Sequence, residues 1–338
     1  MKKKVSLKDV AEHVGASIAL VSYVMNNKTK PRVGVEMSEK IRNAARELGY
    51  QPNLIARGLK MGTTNTIGLI VADISNPFFS HIARIIEDEA KKNGYVVIFG
   101  SSDESAQKSQ DLINVFLNRQ VDAFIIASAA GTEDQVRHLT KMNVPVVLID
   151  RYFPEIPADS VHIDNYRAAY QSVEHLIATG RKRIAMVAYK TPLAHMNERK
   201  RGWLDAMNAH GLPVDPAWMV EASFQNLSEE VDEGLLRLLR PSLNVDAVFF
   251  GTNSLAVEGL KEINALGIKV PSDLAIISFD ESEAFDFFYS PVTYVSQSLA
   301  DMGKAALKLV IDRIGNSQKK NESIIVETKL IVRKSSGS

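Results

Sequence analysis

The 338-residue chain contains no cysteine. That absence removes a disulfide framework, a thiolate zinc site and a cysteine nucleophile together, and it fits a reducing compartment. Long apolar runs are lacking as well. No stretch approaches the roughly 18 residues that a membrane span needs, and the lysine-rich start Met1–Lys4 leads into polar sequence instead of a signal-peptide core. A cytoplasmic protein without membrane contact is the expectation. The usual enzyme signatures are also missing. No G-x-G-x-x-G follows the apolar runs ending at Ala72 or Gly100, and G-x-x-x-x-G-K-[ST], G-x-S-x-G and H-E-x-x-H do not occur. The seven histidines are scattered, with His81, His138, His175 and His210 in helical stretches that favour surface or packing roles. Neither a catalytic set, a cofactor nor a metal is expected.

Net charge is absent too, with 40 Lys and Arg balanced by 40 Asp and Glu. The balance hides an asymmetry. Residues 1–62 hold 12 basic and 5 acidic side chains, a surplus of seven positive charges, and residues 63–338 hold 28 and 35. A basic module joined to an acidic one raises the odds of a polyanionic partner.

The basic module reads as three short helices. Ser6 and Asp9 have capping-box spacing, and Leu7, Val10, Ala11 and Val14 recur at helical intervals up to Gly15. Ser17 caps a second helix with Leu20, Val21 and Val24 on one face and Ile18, Ala19, Ser22, Tyr23 and Asn26 elsewhere. After the basic loop Lys28–Arg32, a third helix turns Met37, Ile41, Ala44, Ala45 and Leu48 inward and ends at Gly49. Two helices, a glycine turn and a polar outer face in a basic context predict a helix-turn-helix. Pro52 then opens a segment, residues 53–60, of about two helical turns, too short to hold helix alone in water.

From Ile67 the pattern changes. Apolar runs at Ile67–Ala72, Tyr95–Gly100, Ala123–Ala127 and Val146–Asp150 alternate with helical stretches, and a second series follows at Ile184–Ala188, Met219–Ala222, Ala247–Gly251 and Leu274–Phe279. Such βαβ alternation predicts two α/β lobes with buried parallel sheets. Ligands in these sheets bind at the carboxyl ends of strands. There the sequence places Asn76-Pro77-Phe78-Phe79, with one phenylalanine expected in the core and the other stacking on a ligand. Asp103, Arg151, Asp164, Arg199, Asn253 and Asp280 fall at similar positions. Each alone reads as a cap or surface charge, but together they outline a polar cleft able to pair with vicinal hydroxyls. On residues alone, a sugar-metabolising or small-molecule-binding α/β enzyme with a helical dimerisation arm stays open.

The segments VSLKDVAEHVGASIALVSYVMN, ELGYQPN, ARGLK and IGLIVADISNPFF, followed by VVLIDR, VHIDN, ERKRGW, FFGTNS, IISFDESE and LIVRKSS, resemble the LacI/GalR family of transcription regulators in order and spacing. The resemblance covers essentially the whole chain. It implies a helix-turn-helix DNA-binding headpiece at 1–50, a hinge helix and linker at 51–62, and a periplasmic-binding-protein-like core. Its first lobe would comprise 63–163 and 296–325, its second 164–295 and 326–338, with three crossings between them. It further implies a repressor acting as a homodimer or tetramer on a near-palindromic double-stranded operator, under control of a sugar-like effector.

By the same resemblance, Ile18, Ala19 and Tyr23 face base edges, while Ser6, Ser17, Ser22 and Asn26 lie nearer phosphates. Ala56, Leu59 and Lys60 belong to the hinge, with Leu59 as a wedge between base pairs. The effector positions are Phe78, Phe79, Asp103, Arg151, His195, Arg199, Phe224, Asn253, Asp280 and Gln297. Four departures from the family pattern stand out. Tyr23 stands where arginine is frequent, and Gly34 where a serine caps the third helix. The Lys28–Arg32 loop is longer by about two residues, and Ser254 replaces an aspartate after Asn253.

Overall fold

The computed structural model describes residues 5–25, 33–50, 63–316 and 319–337. The chain divides into two compact units, one ending at Thr64 and the other beginning at Asn65.

The first unit holds α1 (Leu7–Val14), α2 (Ile18–Met25) and α3 (Val35–Glu47). The expected capping box is formed: Ser6 Oγ accepts from the Asp9 amide at 3.3 Å, and Asp9 Oδ2 accepts from the Ser6 amide at 2.7 Å. Gly15 ends α1 at φ 68°, a left-handed conformation that costs glycine little. Val10, Ala11 and Val14 meet Val21 and Val24 of α2 and Ile41, Ala44 and Ala45 of α3 in one small core. Gly34 precedes α3 without a side-chain cap.

The second unit contains two six-stranded sheets. The first comprises β1 (Thr66–Val71), β2 (Val96–Ser101), β3 (Ala123–Ile126), β4 (Val146–Ile149), β5 (Asp159–Ile163) and β11 (Ser323–Val326), ordered β11-β5-β4-β3-β1-β2 and wholly parallel. The second comprises β6 (Ile184–Tyr189), β7 (Met219–Ala222), β8 (Ala247–Phe250), β9 (Ala275–Phe279), β10 (Thr293–Gln297) and β12 (Thr328–Ile331), ordered β12-β10-β9-β8-β6-β7. Here β12 runs antiparallel to β10, a departure from the all-parallel expectation. The connecting helices are α4 (Pro77–Lys92), α5 (Ala106–Asn118), α6 (Glu133–Lys141), α7 (Asn165–Ala178), α8 (Ala194–Ala209), α9 (Leu227–Leu238), α10 (Asn253–Ala265), α11 (Ala284–Phe287) and α12 (Leu299–Gly315).

All eight apolar runs are strands. The sequence reading missed β5, β10, β11 and β12, and β5 shows why: its buried positions include Asp159, Ser160 and His162. Those polar groups are satisfied inside the lobe. Asp159 accepts from Arg313 Nε at 2.9 Å and Nη2 at 2.8 Å, and Ser160 and His162 both reach Ser323 Oγ at 3.0 Å. The chain passes between sheets after β5, after β10 and after β11. Ser296 and Gln297 therefore belong with the second sheet and Val326 with the first, one or two residues from the expected boundaries.

One glycine position is dictated by packing. A Cβ on Gly202 of α8 would lie 2.4 Å from the Tyr166 carbonyl oxygen, so only glycine lets α8 approach α7 this closely.

Candidate functional site

In the first unit, α2 turns its apolar side into the core and leaves a small outward face. Ser17 Oγ accepts from the Leu20 amide at 3.2 Å and starts the helix. Ile18 is 49% exposed, Ala19 is exposed, and Ser22 and Tyr23 are half-buried. A helix with short side chains at its amino end can approach the floor of a major groove. Ser6 is engaged in its capping box. Asn26, Ala56, Leu59 and Lys60 lie outside the described residues, as does the Lys28–Arg32 loop.

In the second unit, the carboxyl ends of both sheets face a common cleft. Its inner part is a narrow cavity of about 40 Å³, which opens into a mouth of about 540 Å³, and the mouth is within the range typical of small-molecule sites. Asp73, Asn76 and Glu104 line both this cavity and the mouth. One wall comes from the first lobe. Phe78 and Phe79, at the start of α4, are both buried and pack edge to face with centroids 5.0 Å apart. Beside them Arg151, just past β4, donates from Nη1 and Nη2 to the two oxygens of Glu104, each at 2.7 Å, and from Nη1 to the Ser128 carbonyl at 3.2 Å.

The opposite wall belongs to the second lobe. Arg199 on α8 is 2% exposed; it donates from Nε to Asn165 Oδ1 at 2.8 Å and from Nη1 to the Gly251 carbonyl at 2.7 Å. Its guanidinium lies 3.5 Å over the Phe279 ring, and Asp280 Oδ2 is 3.8 Å away. Gln297 Nε2 donates to Asp280 Oδ1 at 2.5 Å. Tyr189, ending β6, stacks on Phe224 at 4.0 Å. The lobes also touch directly. Asn76 Nδ2 donates to Asn253 Oδ1 at 3.3 Å, and Asn253 Nδ2 donates back to Asn76 Oδ1 at 3.2 Å.

Burial sets the protonation states. It pushes the Asp150 carboxyl up to about 6, against the pull of Arg151 and Arg199, and raises Asp280 against Arg199 and Gln297. Burial, reinforced by Arg151, Arg199 and Lys200, holds His195 well below the usual histidine range, so its ring is neutral. Tyr189 is pushed up to about 12 by burial and keeps its hydroxyl proton. The backbone is unusual here too: Asp150 and Asp280 take left-handed φ values of 65° and 66° at corresponding strand ends, and Asp103 and Glu104 take 48° and 57°. Non-glycine residues in this region cluster at functional sites.

Several buried polar atoms around the cavity have no hydrogen-bond partner: Asp150 Oδ1, Arg151 Nε, His195 Nδ1, Ser128 Oγ and Gln297 Oε1. Such groups are rare in folded proteins. Asp150, Arg151 and His195 line the cavity, and their open donors and acceptors make it a candidate ligand site.

Of the residues expected at an effector site, Phe78, Phe79, Arg151, His195, Arg199, Phe224 and Asp280 line the cavity, Asn253 lines the mouth, and Gln297 reaches it through Asp280. Asp103 stays at the exposed mouth, paired with Lys108. Asp164 caps α7, accepting from the Arg167 amide at 2.9 Å. Sequence reasoning missed Asn76, Glu104, Asp150, Asn165 and Tyr189. Asp150 and Tyr189 end strands as the chosen residues do, and that signal was available for both. Among the described residues, no cluster of three or more His, Asp or Glu side chains is arranged to hold a metal ion. Likewise, no described helix is long and apolar enough to cross a membrane.

Residues 6–53 match the family described as bacterial regulatory proteins, lacI family, and residues 173–336 match the periplasmic binding protein-like domain. Catabolite control protein A of Priestia megaterium is 35% identical over 323 residues, spanning 95% of this chain and 96% of that protein. The HTH-type transcriptional repressor CytR of Escherichia coli K12 is 31% identical over 331 residues, spanning 97% and 95%. Among solved structures, a transcriptional regulator CelR–cellobiose complex aligns with TM-score 0.74 at 26% identity, covering 98% of this chain and all of that one. The lac repressor dimer bound to operator and the anti-inducer ONPF aligns with TM-score 0.87 at 22% identity, covering 99% of each chain, a likeness of fold.

Proposed function

The chain belongs to the lacI family of bacterial regulatory proteins, and from that membership we propose a repressor whose grip on its operator is set by a sugar-like effector held between the lobes. The chain is a DNA-binding transcriptional regulator and not an enzyme. The observation that carries the effector reading is the cluster of partnerless polar atoms around Asp150, Arg151 and His195, beside the aromatic surfaces of Phe79, Tyr189 and Phe224. Aromatic faces pack against the apolar face of a sugar ring, and convergent polar groups orient its hydroxyls. The cellobiose bound in the CelR complex accords with this class of ligand.

At the DNA, Ile18, Ala19 and Tyr23 read base edges, Ser17, Ser22 and Asn26 contact phosphates, and Leu59 with Ala56 and Lys60 engages the minor groove. Ser6 contributes a phosphate contact from the start of α1. Tyr23 cannot make the bidentate guanine contact of an arginine, so the half-site departs from that of arginine-bearing relatives. A homodimer on a near-palindromic operator suits two copies of one headpiece, and tetramers are a further assembly of the same unit. On the first lobe, Val96 and Phe99 on the edge strand β2, 62% and 61% exposed, offer apolar area to a second copy. The protein works in the cytoplasm, where its operator is.

Genome-wide footprinting of the full-length protein followed by anisotropy titration of the recovered duplex tests this reading. The expected result is specific binding that changes when one compound from a broad metabolite panel is added at fixed salt. Operator affinity indifferent to every compound would overturn effector control.

A further inference from the structure

The cleft is acidic in a way that bears on which molecules enter it. Its inner cavity is lined by four carboxylates, Asp73, Glu104, Asp150 and Asp280, against two guanidiniums, Arg151 and Arg199. The mouth adds Asp103 and Glu258, each paired with a lysine outside its lining, Lys108 and Lys261 respectively. Both guanidiniums are already engaged within the protein. Arg199 is buried between Asn165, the Gly251 carbonyl and the Phe279 ring, with Asp280 3.8 Å away. Arg151 is held end-on by both oxygens of Glu104, whose side chain is 9% exposed. A bidentate guanidinium–carboxylate pair uses the fork that would otherwise clamp a phosphate or carboxylate.

The unsatisfied atoms point the same way. In the inner cavity Asp150 Oδ1 wants a donor and Arg151 Nε, 3.7 Å from Asp150 Oδ2, wants an acceptor, while Ser128 Oγ and Gln297 Oε1 lie outside its lining. A phosphate only accepts and an ammonium only donates. A hydroxyl does both. From this complement and the surplus of carboxylates lining the inner cavity we infer that the effector is an uncharged, hydroxyl-rich molecule, and that Glu104, by occupying the fork of Arg151, is the residue that excludes phosphorylated and carboxylated analogues. The inference rests on the effector reading above and narrows it to a chemical class.

Titration calorimetry of the full-length protein against matched pairs tests it: glucose with glucose 6-phosphate, ribose with ribose 5-phosphate, cellobiose with cellobionate, and adenosine with its 5′-monophosphate. At least one neutral member should bind, with its anionic counterpart weaker by about a hundredfold or more. Glu104→Gln, which keeps the side-chain shape while freeing the charge of Arg151, should raise affinity for the anionic member by about tenfold or more. An anion bound more tightly than its neutral parent by the wild-type protein would overturn the class while leaving the cleft as an effector site. Binding by no member of the panel would overturn both readings. If Glu104→Gln folds, as judged by retained operator binding, and leaves the preference unchanged, the role of Glu104 falls. If it fails to fold, the wild-type pairs still decide the class.

Discussion

Asp150 shows how one buried carboxyl links site and solution conditions. Its pKa rises from 3.8 to about 6 because the fold removes its water. The protonated form is thus favoured in the folded chain, and its contribution to stability is full below about pH 4 and lost as pH rises through about 6. His195 runs the other way, neutral when buried, so its contribution is lost as pH falls below its ordinary 6.5. A hydroxyl donating to Asp150 Oδ1 stabilises the carboxylate, and effector binding near pH 6 should expel part of a proton. Calorimetry in two buffers of different ionisation enthalpy reads that proton; it should vanish in Asp150→Asn. Proton uptake instead of release would contradict the assignment. At this scale the sequence was legible where motif position fixes the side chain, as at Arg199 and Asp280. It was not legible at Asp103 and Glu104. Both backbones are left-handed, and the turn sends Glu104 to Arg151 and leaves Asp103 with Lys108. No periodicity carries that choice between neighbours.

Among the described helices, α7 and α8 pack most closely, and they carry Asn165 and Arg199 respectively. Their approach depends on Gly202. Gly202→Ala should cost about 1–3 kcal/mol, measured by urea unfolding, because the new methyl meets the Tyr166 carbonyl and not a side chain that can turn away. It should also weaken effector binding by displacing Arg199 from Asn165. Unchanged stability would show that the helices slide apart freely. The strands that sequence reasoning found are predominantly apolar runs, buried along nearly their whole length except at the edge strands β2 and β7. Those it missed depend on partners far along the chain. Buried Asp159 is tenable only because Arg313, 154 residues away, pairs with it, and an unpaired buried charge is costly. The edge strands β11 and β12 are short and half-exposed, and they carry little pattern to read.

Across the whole molecule, the zero net charge resolves into a basic part of residues 1–62 and an acidic remainder. The basic surplus suits phosphate contact, and the acidic core keeps its own surface from competing for DNA. Two-lobed architecture was readable because alternating strands and helices permit few topologies. The coupling between cleft and operator was not, since it is a difference between states and no single arrangement displays it. The most direct test measures operator affinity of wild-type protein and Arg199→Ala with and without a saturating cleft ligand, at one salt concentration. Wild-type affinity should shift by about 5- to 150-fold, whereas Arg199→Ala should bind the operator as the ligand-free wild type does and show no shift. A normal ligand response in Arg199→Ala, or none in the wild type, would contradict control through this cleft.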